Sequence, residues 1–321
     1  MNKIVYKLLI PIISVFILGI TTALFVIISN ETAQLTAEAE IEAGFQTKMV
    51  ERQLGIADEL LLTQVKSGIS LLKSKSLAKG QPMQGDITSF SGGQAYSLSF
   101  GEEEMINNFS IVDELKDIMG GTATIFSKNN GDFVRISTNV MKDNGQRAIG
   151  TILDPSGPAS AAIQKGQSFY GVVEILGSSY MTGYEPIMDG NDAIIGIWYI
   201  GYKISSLDKI KEDIEHFKIL DNGFTALVDN KNRVTFHSGN VTDDFIKQVI
   251  SDSVGGEWNI KSTVFEPWNY QIITAYPLSD ISTKASKLRN KIVYAGIAAG
   301  ILLIAAMVFL TRKAVLIPLG K

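Results

Sequence analysis

The sequence predicts an α+β protein: two stacked modules of antiparallel sheet and short helices, carried on a long N-terminal stalk helix and flanked by two transmembrane helices. Charge-free apolar runs of spanning length lie near both ends. Residues 31–77 keep a helical apolar period without a proline, and the chain between 80 and 290 breaks into short strand-like runs separated by turns.

The bulk numbers set limits. The chain has 321 residues, a net charge of −4 and 45% apolar residues, enough for more than one globular unit and far from a disordered composition. A mildly acidic chain lacks the concentrated basic field that offsets phosphate charge, so no nucleic-acid partner is expected. There are no cysteines, which excludes disulfides, thiolate nucleophiles and CxxC redox chemistry.

The run from Leu8 to Ile28 carries no charged residue and is long enough, at about 1.5 Å per residue, to cross a hydrocarbon core of about 30 Å. It exceeds the roughly 7–15-residue apolar core of a cleavable signal peptide, so it reads as an uncleaved anchor. The run from Ile292 to Thr311 is likewise free of charge. Lys3 and Lys7 precede the first run, and Arg312 and Lys313 follow the second, which puts both termini in the cytoplasm. Lys284, Lys287, Arg289 and Lys291 fall on the side assigned to the exterior, where the length of the translocated domain overrides loop charge. Gly296 and Gly300 form a GxxxG pair, readable either as a helix–helix contact or as ordinary membrane-helix composition.

After the first span, Val50, Leu54, Ala57, Leu61, Val65, Ile69 and Leu72 recur three or four apart, one face of a long helix that ends at the breakers Gly80, Pro82 and Gly85. Such a helix is too long for one compact domain and suits a stalk along two stacked modules. Beyond it, 94–100 alternates, 110–119 is a short helix, and 122–138 is a hairpin turning at Asn129, Asn130 and Gly131. Strands follow at 171–176, 179–188 and 193–204, then a helix at 206–217, and strands again at 223–238 and 264–278. Aligning 123–137 with 225–238 places a polar turn between two apolar strands in each, so one structural unit recurs about a hundred residues on.

The blocks GGTATIFSKNNGDFVRISTNV, GQRAIGTILD (145–154), GQSFYG (166–171), GSSYMTGYEPIMD (177–189) and IIGIWYIG (194–201) resemble, in order, the double Cache sensor region (Cache_3-Cache_2 type) of bacterial methyl-accepting chemotaxis proteins. The likeness runs over nearly the whole chain and implies two PAS-like Cache modules. It implies this division: 1–7 cytoplasmic, 8–29 first span, 30–79 stalk helix, 80–206 membrane-distal ligand-binding module, 207–290 membrane-proximal module, 291–311 second span and 312–321 the start of a HAMP linker. The chain would then be the amino-terminal part of a longer receptor.

Strand alternation sends Phe133, Arg135 and Ser137 to one face, and Tyr180, Thr182 and Tyr184 to one face of their own strand. A guanidinium fork with phenol hydroxyls suits a small carboxylate, because planar donors meet it bidentately. The candidate ligand contacts are therefore Arg135, Tyr170, Tyr180, Thr182 and Tyr184, with Trp198 or Tyr199 as an apolar wall and Arg147 as a second cation. Arg135 could instead pair with Glu174 or Glu185, and Glu185 or Asp189 could hold an amino group, so an organic acid and an amino acid both fit. The repeat places His237 at the position of Arg135, a poorer carboxylate clamp at neutral pH, which leaves the proximal module to transmission.

No enzyme is expected. His216 and His237 stand alone, and GxSxG, Walker, HExxH and calcium-loop motifs are absent, as are cofactor and metal sites; MDGND (188–192) reads as a turn. The expected function is that of a chemoreceptor sensor in the bacterial inner membrane. It would be a homodimer that binds a small metabolite and signals to kinase-coupling proteins through a cytoplasmic part beyond this chain. The rival outputs are a histidine kinase or a diguanylate cyclase; rivals of another class are a membrane-tethered extracytoplasmic enzyme and a purely structural dimerising anchor.

Overall fold

The computed structural model describes residues 2–311. The expected HAMP start at 312–321, with Arg312 and Lys313, lies outside the described residues. Helix α1 (Asn2–Leu77) is unbroken over 76 residues, about 114 Å at 1.5 Å per residue, so the first apolar run and the stalk are one element. All seven stalk positions picked out by their period are buried, from Val50 to Leu72. Each such side chain contributes roughly 1.5–3 kcal/mol by leaving water, alanine less. The apolar stretch of α1 and that of α6 (Leu278–Thr311) are long and apolar enough to cross a membrane.

Strands β1 (Pro82–Phe90), β2 (Gly93–Phe100) and β3 (Glu103–Glu104) form a small antiparallel sheet. In the sequence the start of β1 reads only as a helix breaker. The strand is mostly exposed and its register breaks between Gln84 and Ile87, which erases the alternation that would reveal it. Helix α2 (Ser110–Met119) leads into the main sheet, built from β4 (Thr122–Asn129), β5 (Asp132–Thr138), β6 (Phe169–Ile175), β7 (Ser178–Met188) and β8 (Ile194–Lys203). Its order is β5-β4-β8-β7-β6, all antiparallel. The β4–β5 turn has positive φ at Asn130 and Gly131, the residue types that tolerate it.

After a 3-10 turn at Ile204–Ser206 and helix α4 (Asp208–Glu215), with α3 (Pro158–Ile163) having covered the first sheet, a second sheet forms. It contains β9 (Phe224–Val228), β10 (Val234–His237), β11 (Trp258–Phe265) and β12 (Tyr270–Pro277), with α5 (Asp243–Ile250) inserted after β10. Its order, β10-β9-β12-β11, repeats β5-β4-β8-β7, so the duplicated hairpin seen in the sequence occupies the same edge of both sheets. The first sheet differs by its extra edge strand β6.

The stalk packs against one face of each sheet in a continuous apolar cluster that includes Val65, Ile125, Trp198, Leu227 and Ile272. Gly183 lets β7 approach the stalk: a Cβ there would lie 2.6 Å from Val65 Cγ1 and 2.9 Å from Tyr170 Cε1. The far face of the first sheet carries a separate cluster with Phe126, Tyr184 and Tyr199 under α3; the far face of the second packs Phe224 and Ile273 against α5. Helix α6 begins at Leu278, thirteen residues before the expected second span, because its first turn is tied to the loop that leads into β9. There the Asp280 carboxylate accepts hydrogen bonds from the backbone N–H groups of Asp221 (3.0 Å) and Asn222 (2.7 Å). Gly296 and Gly300 face Leu24 and Ile20 of α1 in the same chain.

Candidate functional site

The far face of the first sheet, away from the stalk, carries the cationic centre. Arg135 on β5 is only 5% exposed. Its Nη1 donates to Thr151 Oγ1 at 2.6 Å, and its guanidinium sits 5.0 Å from the centroid of the Phe126 ring. Its Nε has no hydrogen-bond partner. Burial pushes the guanidinium pKa down, and the groups that act on it electrostatically are Tyr184, Tyr199 and Tyr180, all phenols. Among the described residues no carboxylate pairs with it. Glu174 is held by Lys231 (2.7 Å) and Arg233 (2.9 Å); Glu185 is held by Lys73 (2.8 Å) and the Tyr170 hydroxyl (2.5 Å). The ion-pair alternative for Arg135 is therefore not what the chain forms, and Glu185, facing the stalk, is not near it. Asp189 caps its own turn, accepting from the N–H groups of Asn191 and Ala193.

Arg135 opens on a cavity of about 430 Å³. One wall is the irregular segment Thr151–Asp154, tied along β5 by Arg135 N–H to Thr151 O and by Leu153 N–H to Phe133 O, both 2.9 Å. The start of α3 (Pro158, Ala159) and the edge strand β6 (Val172–Ile175) close the sides, with Tyr184 behind. Burial pushes the Tyr184 and Tyr199 phenols upward, so both stay protonated donors at neutral pH. Tyr184 and Tyr199 stack obliquely at 4.9 Å, and the Tyr199 hydroxyl lies 3.1 Å from Thr122 Oγ1. Thr182 is buried between Tyr180 and Tyr184, with its hydroxyl donating to Gly171 O at 2.7 Å.

Tyr180, Thr182 and Tyr199 share this face of the sheet but are not among the residues that line the cavity, and the remaining candidates fall elsewhere. Tyr170 pairs with Gly183, one step out of phase with Tyr184, and so faces the stalk. Its neighbour Lys66 lies 5.5 Å from its ring centroid. Trp198 precedes Tyr199 on one strand and takes the opposite face, stacking on Phe100 with Lys73 5.3 Å from its ring. Arg147 holds Asp113 bidentately (2.7 and 2.8 Å) and lies 4.2 Å over Phe109, outside the cavity. His237, the counterpart of Arg135 in the second sheet, lies 3.3 Å from Asp243. The sequence reading missed Thr151, Asp154 and Asn230 as lining residues; none sits in a periodic element that would have flagged it.

A family model for the Cache 3/Cache 2 fusion domain matches residues 28–291, most of the chain, and the chain belongs to that family. This sets it among extracytoplasmic ligand-binding sensor domains. Similar solved structures include the sensory domain of the Campylobacter jejuni chemoreceptor Tlp3 (12% identity, 79% of this chain and 99% of that one, TM-score 0.41). The ligand-binding domain of Mlp24 with asparagine gives 10% identity, 80% and 99% coverage and a TM-score of 0.46. The extracellular domain of the putative histidine kinase mmHK1S-Z2 gives 10% identity, 77% and 98% coverage and a TM-score of 0.37. Comparison with curated proteins gives no match.

Proposed function

We propose that the chain is the sensor region of a two-pass membrane chemoreceptor. In this reading the first sheet (80–206) is the membrane-distal module and holds a small carboxylate or amino acid in the Arg135 cavity. The second sheet (207–290) relays occupancy to α6, and both chain ends lie in the cytoplasm. The observation that carries the reading is a buried, unpaired guanidinium with an orphaned Nε at the inner end of a cavity that also holds the Tyr184 phenol. A buried cation without a counter-anion is costly, and a ligand carboxylate supplies the missing charge and acceptors. Such a site binds and releases, which is what a sensor requires. A kinase or cyclase output would use the same site.

The exposed apolar residues Ile41, Phe45, Met49, Ile56 and Leu60, spaced along α1 away from the sheets, support a homodimer through the stalk. A Phe45→Glu chain that remained dimeric would remove that element. For the site, thermal-shift screening of the full chain against mono- and dicarboxylic acids and amino acids is the test. Stabilisation of the wild type that disappears in Arg135→Met is expected. A ligand that stabilises both equally sinks the assignment.

A further inference from the structure

The cavity is not closed by the first sheet alone. Asn230, at the tip of the turn between β9 and β10 of the second sheet, also lines it. Asn230 is exposed at the mouth, while Arg135 is buried at the inner end, and no hydrogen bond engages the Asn230 carboxamide among the described residues. The turn that presents it is held by its own hydrogen bonds. Asp229, 3% exposed, accepts from the N–H groups of Lys231 and Arg233 (both 2.9 Å) and from Arg233 Nε (2.7 Å). The same turn grips β6, the strand that forms the cavity's side wall. Lys231 Nζ and Arg233 Nη2 meet the Glu174 carboxylate at 2.7 and 2.9 Å, and Arg233 Nη1 donates to Gly177 O at 2.7 Å. One hairpin of the second sheet therefore supplies part of the mouth and fixes the position of the opposing wall.

We infer that the ligand site is composite. Asn230 is a ligand contact contributed by the second sheet, and Glu174, Lys231 and Arg233 are positioning residues that hold the β9–β10 turn against the cavity. This rests on the reading of the Arg135 cavity as the ligand site and deepens it. The ligand class narrows to a small carboxylate with a second polar group, the carboxylate meeting Arg135 and the other end meeting a carboxamide that both donates and accepts. A molecule bridging Arg135 and Asn230 binds only the arrangement in which both sheets stand in register, so its affinity is by linkage a bias on the contact between them. The signal would leave the cavity through the hairpin as well as through the stalk.

The test uses the full 321-residue chain in lipid nanodiscs. Without any ligand, hydrogen exchange of Arg233→Ala and Glu174→Gln is compared with wild type. Faster exchange in 151–154 and 172–176, both cavity walls, with β4 and β8 unchanged, is expected; a change confined to 229–233 overturns the clamp. With lactate, succinate and L-alanine as probes, Asn230→Ala weakens whichever of them binds about five- to tenfold, the worth of one hydrogen bond. Asn230→Ala with unchanged affinity, where Arg135→Met abolishes binding, overturns the composite site and leaves the cavity assignment standing. Unchanged affinity in Arg135→Met removes the cavity assignment itself, and the exchange arm still decides the clamp.

Discussion

Replacing Arg135 by methionine separates a binding arginine from a structural one by the sign of a stability change. In the unliganded chain the guanidinium is 5% exposed, has one side-chain hydrogen bond, to Thr151, and leaves Nε without a partner. An orphaned buried donor costs about 1–3 kcal/mol, and removing an ion from water costs several more even after relaxation. Against this stand the Thr151 bond, about 1.5–3 kcal/mol for a charged donor, and the Phe126 ring contact, roughly 0.5–2 kcal/mol. Thr151 also donates to Ala148 O at 2.8 Å, so its hydroxyl is not orphaned by the change. Methionine is flexible, similar in length and needs no partner. The balance gives a net stabilisation of about 1–3 kcal/mol. For a folded region of this size that is a rise in melting temperature of about 2–10 °C, together with loss of every ligand-induced shift. Differential scanning fluorimetry of wild type and Arg135→Met, with and without carboxylates, measures both. A fall in melting temperature of similar size would mean that Arg135 holds the fold together, and the reasoning would fail.

Gly183→Ala should cost about 1–3 kcal/mol by overpacking, because its methyl would lie 2.6 Å from Val65 Cγ1. Adding Val65→Ala should cost less than the sum of the two single changes, a non-additivity of about 1 kcal/mol readable in a thermal double-mutant cycle; simple additivity would show that β7 does not abut the stalk there. The clamp turn should loosen in acid. Burial pushes the Asp229 carboxyl up, but the N–H donors of Arg233 and Lys231 and the Arg233 side chain outweigh it and leave the pKa below the ordinary aspartate value of 3.8. A carboxyl depressed in the folded state contributes fully above that value and loses its contribution as pH falls through the lower folded one. The protection factors of 229–233, with the intrinsic pH dependence of amide exchange divided out, should hold steady from pH 7 to about 5 and fall below about 4. Asp229→Asn should show little of this change, and an equal acid response in both chains would place the effect elsewhere.

The parts of this molecule that a period can encode were legible in its sequence. The stalk was readable because its buried face repeats at helical spacing over many turns, and the apolar residues from Val50 to Leu72 share one buried cluster with both sheets. The hairpins were readable because Asn-Gly and Lys-Asn turns separate apolar strands. What escaped were α3, α5 and β11, short elements with one to three buried residues each, and the start of α6, where Ile281 is the buried apolar residue of a polar stretch. Their structure is imposed by packing against sheets that are already formed.

The same distinction explains the site. Alternation along a single strand correctly grouped Tyr180, Thr182 and Tyr184, and it put Arg135 with Phe133, because period two is a property of one strand. It could not relate the phase of β6 to that of β7, which is set by pairing Phe169 rather than Tyr170 with Tyr184, so Tyr170 was grouped with side chains on the far face. Trp198 and Tyr199 are consecutive and cannot share a face, so naming both left one of them toward the stalk. Arg147 lies in a loop, where no period exists and its partner Asp113 is fixed by tertiary contact alone. The cavity walls need two such non-local relations: an irregular segment laid along β5, and a turn from the second sheet laid against β6. A site assembled across that seam has a mechanical consequence that one built within a single sheet lacks. Whatever fills it must choose among relative positions of the two sheets, and the second sheet is the one that runs directly into α6.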